Sequence, residues 1–222
     1  MGTYGRIVGL VRNKAIFDDY CRTHPIRKLH LGCGFVELDG WLNTDLLPRR
    51  SWVAYCNAAG KFPFPDGSFD YILTEHMIEH VDFDAGLQML SECKRVLKPG
   101  GRIRISTPDL DKIMALKKAA TPLEDLYIKD LLSHIPNALD GQPSFAINSM
   151  MRSWGHTFIY DQETLSAALL RMGFVGITLC TPGQSADRHL DGVDRHADTF
   201  TNPDFNLVES LVLEASTPGQ QI

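Results

Sequence analysis

Several short stretches of this 222-residue chain carry residue types that bind or transfer chemical groups. Leu31-Gly32-Cys33-Gly34 closes the run Lys28-Leu29-His30-Leu31. Glycines at a strand exit let backbone approach a ligand closely. A dinucleotide fingerprint would place a third glycine at position 37, where this chain has Glu37, so NAD and FAD are disfavoured. Asp45 ends the next apolar stretch. A carboxylate there can accept from two ribose hydroxyls, or simply sit in a turn. His76 and His156 are candidate general bases, since imidazole near neutrality can take a proton from a hydroxyl; Glu75 is a weaker third. His156 reads equally well as a buried structural histidine. Arg152 could anchor an acid group or lie on the surface.

Two patterns raise the question of a metal. His76-Met77-Ile78-Glu79-His80 fits His-x-x-Glu-His, whose histidines can share a cation on a helix. Here the motif begins at a strand end, so a structural or substrate role is expected and no metal ligands are assigned. Asp187-Arg188-His189-Leu190-Asp191 and Asp194-Arg195-His196-Ala197-Asp198 repeat a local pattern. A solvated loop with local salt bridges is the preferred reading of both.

Placing these residues together requires alternating strands and helices. Residues 6–22 read as a helix with apolar Ile7, Leu10, Val11, Ile16 and Phe17. Strands are expected at Lys28–Leu31, Trp41–Asp45, Trp52–Tyr55, Phe69–Leu73 and Arg102–Ser106. Phe83 to Leu97 repeats apolar residues at spacings of three and four, and Lys98-Pro99-Gly100-Gly101 should stop that helix. Asp161 is a plausible N-cap for a helix to Met172. Phe174–Cys180 and Leu207–Ala215 read as late strands. This alternation indicates an α/β fold with a doubly wound, mostly parallel sheet and helices on both faces. Only Phe35 to Gly40 separates the first two strands. A parallel crossover normally takes a dozen or more residues, yet six extended residues span roughly 20 Å. The crossover is therefore expected to be a loop, and the N-terminal helix to cover the face it leaves bare.

A single domain over 1–222 is expected: N-terminal helix 1–25, core 28–108, a long lid-like connection 109–160, and C-terminal helix and strands 161–222. The formal net charge of −5 gives no general attraction to phosphate backbones, so nucleic acid is excluded as a first partner. Five scattered cysteines without a Cys-x-x-Cys pair point to a reducing compartment. No apolar run reaches membrane-spanning length and no signal peptide is evident, so no membrane partner and a cytoplasmic location are expected.

Order then carries more than any single motif. The glycine turn, Asp45, Asn57-Ala58, Pro63-Phe64-Pro65-Asp66-Gly67-Ser68-Phe69-Asp70, Glu79-His80 and Leu97-Lys98-Pro99-Gly100-Gly101 follow one another. From Lys28 to Pro108 the chain resembles the type 11 group of class I S-adenosylmethionine-dependent methyltransferases. More softly, Trp154-Gly155-His156 to Asp161, Gly173-Phe174 and Phe205 to Ala215 resemble methyltransferases of polysaccharide or secondary-metabolite pathways. The resemblance implies a Rossmann-like seven-stranded sheet with its last strand antiparallel. It implies S-adenosyl-L-methionine as cofactor and S-adenosyl-L-homocysteine as product. Gly32, Cys33 and Gly34 would face the methionine part, Asp45 the ribose, and Asn57 and Ala58 the adenine. Many relatives carry aspartate where this chain has Asn57. Thr74, Glu75 and His76 would lie where methyl and acceptor meet. A small-molecule acceptor would receive the methyl on O or N. A nucleotide-cofactor oxidoreductase and a non-catalytic donor-binding protein are the alternatives.

Overall fold

The computed structural model describes residues 3–219, with side chains from residue 12 onward. The expected stripe positions Ile7, Leu10 and Val11 lie outside the described side chains. Seven strands form one sheet: β1 (Lys28–Leu31), β2 (Leu42–Asp45), β3 (Ala54–Tyr55), β4 (Phe69–Glu75), β5 (Leu97–Pro108), β6 (Val175–Cys180) and β7 (Ser210–Ser216). Their order across the sheet is β3-β2-β1-β4-β5-β7-β6. The pairs from β3 to β5 are parallel, and β7 runs antiparallel to both β5 and β6. Since β1 to β5 all run the same way, Gly32, Asp45, Asn57, His76 and Pro108 are collected at one edge. In open α/β sheets this carboxyl edge is where ligands bind.

Helix α1 (Thr3–Thr23) precedes the sheet, α2 (Phe83–Val96) joins β4 to β5, and α6 (Gln162–Arg171) precedes β6. Asp82 caps α2 through Ala85 N (2.8 Å), and Asp161 caps α6 through Thr164 N (2.7 Å). The turn residues Lys98-Pro99-Gly100-Gly101 do end α2, but they already belong to β5, whose register shifts opposite Phe69–Tyr71. The expected strand from Leu207 begins only at Ser210, because Phe205–Glu209 turns as a short helix, α7.

The two faces of the sheet differ. Leu29, Leu31, Ile72, Ile103, Ile105, Leu211 and Leu213 share one cluster with side chains of α1, α2 and α6. The expectation that α1 covers the bare face is therefore corrected: α1 shares the face of α2 and α6. The other face is covered by loops. A small cluster there joins Trp41, Leu73 and Leu190 with Leu38, Tyr71 and Val193. The reason is length. The 35–41 crossover forms no helix, and Asn43 holds it instead. Asn43 accepts from Leu38 N (2.9 Å) and donates to Leu38 O (3.0 Å) and Trp41 O (3.3 Å). Further along, Arg104 draws segment 181–194 onto β5, with its guanidinium on Asp194 and on the Thr181 and Gln184 carbonyls.

Residues 109–160 leave the sheet and return to it. Asp109 bridges Tyr160, and Leu110 N donates to Tyr160 O (2.9 Å). Between them lie α3 (Leu110–Ala115), α4 (Pro122–Ser133) and α5 (Pro143–Arg152). With α7 they form a second apolar cluster around Tyr127, Ile128, Met150 and Phe205. No described helix is long and apolar enough to cross a membrane.

Candidate active site

Two neighbouring cavities open at the carboxyl edge. The first, about 330 Å³, is lined by Gly32, Asp45, Asn57, Ala58, His76 and Met77 among others. Of the glycine turn, Gly32 lines it, while Gly34 lines another cavity with Phe35, Glu37 and Arg49. Gly32 N and Cys33 N both donate to Thr44 O at 2.9 Å, which ties the exit of β1 to β2. Gly32 and Gly34 have φ of +75° and +55°, values that side chains resist. A Cβ on Gly32 would strike Met77 Cγ at 2.5 Å, whereas one on Gly34 would meet nothing within 4 Å. Gly34 thus leaves open space for a ligand. Asp45 accepts from Gly34 N (3.0 Å) and Leu47 N (2.7 Å), so its carboxylate shapes the glycine turn. A carboxylate has about four acceptor positions, so lone pairs remain for a ligand hydroxyl. Asn57 accepts from Ala59 N (3.1 Å), an Asx turn that places Ala58 on the wall. Cys33 is buried, and burial, reinforced by Asp45 and Glu37, pushes its thiol up to about 12.

The second cavity, about 310 Å³, gathers His76, Glu79, His80, His156, His196 and Glu209, with walls from Pro108, Leu131, Met150, Trp154 and Phe200. His76 and His80 line both cavities. His76 sits at φ +46°, uncommon outside glycine, at the end of β4. Its Nε2 is 3.0 Å from Ser210 Oγ, which itself donates to Asn206 Oδ1 (2.6 Å). Nε2 must therefore donate to Ser210. Its Nδ1 is 3.4 Å from Glu79. Burial opposes the charged ring, but Glu79, Glu209 and Glu75 outweigh it and hold His76 above the ordinary histidine range. With both nitrogens facing acceptors, His76 is suited to charge and poorly suited to accept a proton.

Glu75 faces away from both cavities. Its carboxylate accepts from Arg195 N (2.9 Å) and His196 N (3.0 Å), and burial raises it despite those bonds. Thr74 is buried, its Oγ1 has no partner, and it lines neither cavity. Arg152 is exposed and lines neither.

His156 reaches the second cavity by a turn in which Trp154 and Gly155 both take positive φ, +56° and +87°. Thr157 N and Phe158 N then bind the Glu79 carbonyl, at 2.7 and 3.2 Å, fixing this segment beside Glu79. His156 Nδ1 lies 2.6 Å from Met150 O. A carbonyl only accepts, so Nδ1 carries the proton and Nε2 keeps its lone pair.

Sequence reading missed His196 and Glu209. His196 begins a 3-10 turn (His196–Thr199) and stacks on His76, centroids 3.5 Å apart. Its Nε2 is 2.7 Å from Glu209 Oε1, which leaves Nδ1 unprotonated in the neutral ring. Burial would raise Glu209, but the hydrogen bond from His196 and the charge on His76 bring it below the usual carboxylate range. The Tyr127 hydroxyl also donates to Glu209. No local signal marks this pair, since the sequence pattern predicts strand at Glu209 and a solvated loop at His196.

Comparison with known proteins follows the same division of the chain. Residues 29–105 match the family model described as a methyltransferase domain. A Mycolicibacterium smegmatis protein named "Probable S-adenosylmethionine-dependent methyltransferase" is 38% identical over 71 residues. The match takes in 32% of this chain and 26% of that relative, so the chain spans about a quarter of its length. Among solved structures, an S-adenosylmethionine-dependent methyltransferase from Archaeoglobus fulgidus aligns with TM-score 0.50 at 17% identity, covering 96% of this chain and 94% of the other. One from Mesorhizobium loti aligns with TM-score 0.50 at 16% identity, covering 91% and 96%. At those identities the likeness is one of fold.

Proposed function

We propose that the chain, whose residues 29–105 match a methyltransferase-domain family model, is a class I S-adenosylmethionine-dependent methyltransferase that transfers a methyl group to an oxygen or nitrogen of a small molecule held in the second cavity. One observation carries the reading: the first cavity and the histidine-lined cavity meet at His76 and His80. A donor in the first places its sulfonium methyl at that boundary, in line with an acceptor in the second. The acceptor's lone pair attacks the methyl carbon and the carbon–sulfur electrons return to sulfur. Alignment in a water-excluding pocket supplies much of the acceleration.

In this reading Gly32, Cys33 and Gly34 cradle the methionine part, Asp45 takes the ribose hydroxyls, and Asn57 and Ala58 border the adenine. Residues 109–160 act as the acceptor lid, contributing Leu131, Met150, Trp154 and His156 to the wall. The aromatic and aliphatic lining suits an acceptor with a flat apolar body and one reactive polar group. A protonated nucleophile needs a base. Of the sequence candidates, His76 and Glu75 are committed to other partners, and His156 presents Nε2. His196 is the better placed base, because Glu209 orients its ring and would stabilise the imidazolium that forms.

The test is donor binding. Wild-type protein should bind S-adenosylhomocysteine, and Asp45→Ala should lose about 1.5–3 kcal/mol of that affinity by calorimetry. Unchanged affinity in a folded variant would refute the ribose assignment. Mass spectrometry with candidate acceptors should then show a gain of one methyl, and His196→Ala should slow that gain roughly 10²–10⁴-fold with donor affinity retained.

A further inference from the structure

We propose that Glu79, His80 and His156 form a binding site for a divalent transition-metal ion of the zinc type in the wall of the second cavity. One donor atom from each lies within 4.8 Å of the other two. Two imidazoles and one carboxylate are an established donor set for zinc, with a fourth position left open and ligand bonds of about 2.0–2.2 Å. The spacing needs only a modest inward turn, and His80 is exposed and free to make it.

Each ligand is otherwise unexplained or already prepared. Glu79 is fully buried, and its Oε2 accepts from Thr107 Oγ1 (3.0 Å). Its Oε1 has no hydrogen-bond partner; the nearest cation, His76 Nδ1, stands at 3.4 Å outside bonding geometry. A buried carboxylate oxygen without a hydrogen bond is costly, and a metal ion would lower that cost beyond what the His76 charge at 3.4 Å supplies. His156 gives its Nδ1 proton to the Met150 carbonyl at 2.6 Å, the arrangement that fixes a histidine to ligate through Nε2. His80 has no side-chain hydrogen bond among the described residues, and its ring lies 5.1 Å from that of His156 at 70°. The ligands come from the turn after β4 and from the α5–α6 connection, which the Glu79 carbonyl already joins through Thr157 and Phe158.

His76, His196 and Glu209 also bring donor atoms within 4.8 Å. That group is a poorer site. Its two rings are stacked with planes 20° apart, so their in-plane lone pairs run side by side instead of converging. Both rings also donate to partners already, Ser210 and Glu209.

The open position faces the acceptor cavity. There the ion would bind the acceptor's hydroxyl oxygen and ease loss of its proton, as it does for bound water; the proton passes to His196 Nδ1. This role rests on the methyl-transfer reading, while binding of the ion does not.

The experiment titrates chelator-treated full chain with Zn²⁺ by calorimetry, and with Co²⁺ by visible absorption. S-adenosylhomocysteine affinity is measured on the same samples. One equivalent should bind, with a tetrahedral Co²⁺ spectrum. His80→Ala, an exposed change that leaves the core intact, and His156→Ala should each weaken binding at least tenfold to a hundredfold. His196→Ala should leave it unchanged. No stoichiometric binding, or binding that survives His80→Ala and His156→Ala, overturns the site. Loss on His196→Ala with retention in His80→Ala assigns the ion to the other cluster and equally overturns it. Metal binding without S-adenosylhomocysteine binding would sink the methyltransferase reading and leave the metal site standing.

Discussion

At the residue scale, glycine and cysteine in one turn do different work. Gly34 combines φ +55° with open space where its Cβ would stand. Gly34→Val is therefore expected to abolish S-adenosylhomocysteine binding, through backbone strain and intrusion together. Cys33 contributes size alone, because its thiol is buried and pushed up to about 12. A thiolate is the reactive form, so Cys33 should resist alkylation at neutral pH, and Cys33→Ala should bind donor as wild type does. Rapid labelling of Cys33 in the folded protein would contradict this. These positions were legible in sequence because glycine and a strand-end acid carry local meaning. The Asp-Arg-His repeats were not. Asp187 and Asp194 pair with Arg102 (3.1 Å) and Arg104, residues two apart on one face of β5. Only the strand register brings that pairing about, and nothing near Asp187 or Asp194 announces it.

At the scale of elements, the short crossover was readable from residue count, but its substitute for a helix was not. Asn43 stitches the loop to β2, and its Oδ1 also receives His30 Nδ1 at 3.0 Å. His30 is almost fully buried, and burial lowers its pKa to about 4, with Asn43 and Asp45 opposing. The unfolded chain, with histidine near 6.5, binds the proton first as pH falls. This contribution is thus fully present above pH about 6.5 and lost as pH drops through about 4, amounting to about 3 kcal/mol. Urea unfolding of wild type and His30→Gln at neutral pH and at pH about 4.5 measures it. The variant should lose less stability on acidification than wild type; equal losses would show that His30 does not carry the effect. The placement of α1 also needed the third dimension. Its apolar residues predicted a helix, but only Phe17 packing on Phe64 and Phe69 shows which face it joins.

At the scale of the molecule, the two cavities rest on different supports, and that separates donor binding from catalysis. The first cavity, proposed to take the donor, is built at the exits of β1 to β4 and shares only His76 and His80 with the second. The second cavity takes His196 from a segment held down by one buried cation. Arg104 donates to Glu214 (2.6 Å), to Asp194, and to the Gln184 (3.1 Å) and Thr181 (3.3 Å) carbonyls. All three charged side chains are 0–2% exposed. Asp194 also accepts from Gly183 N (2.7 Å), and Glu75 holds the next residues by their backbone. Arg104→Met fills the volume but leaves Asp194 buried without a counter-charge and Glu214 with Arg102 alone (2.8 Å). Breaking a buried ion pair from one side costs about 3–5 kcal/mol. For a chain of this length that should lower the melting temperature by roughly 6–20 °C. Segment 181–199 should loosen, exposing it to limited proteolysis, and His196 should leave the cavity with it. S-adenosylhomocysteine affinity, measured well below the lowered melting temperature, should stay near wild type because no residue lining the first cavity belongs to that segment. Methyl transfer should fall about as far as in His196→Ala. If donor affinity falls in step with methyl transfer, the two cavities are not independently supported, and the loop face of the sheet would have to be part of the donor site itself.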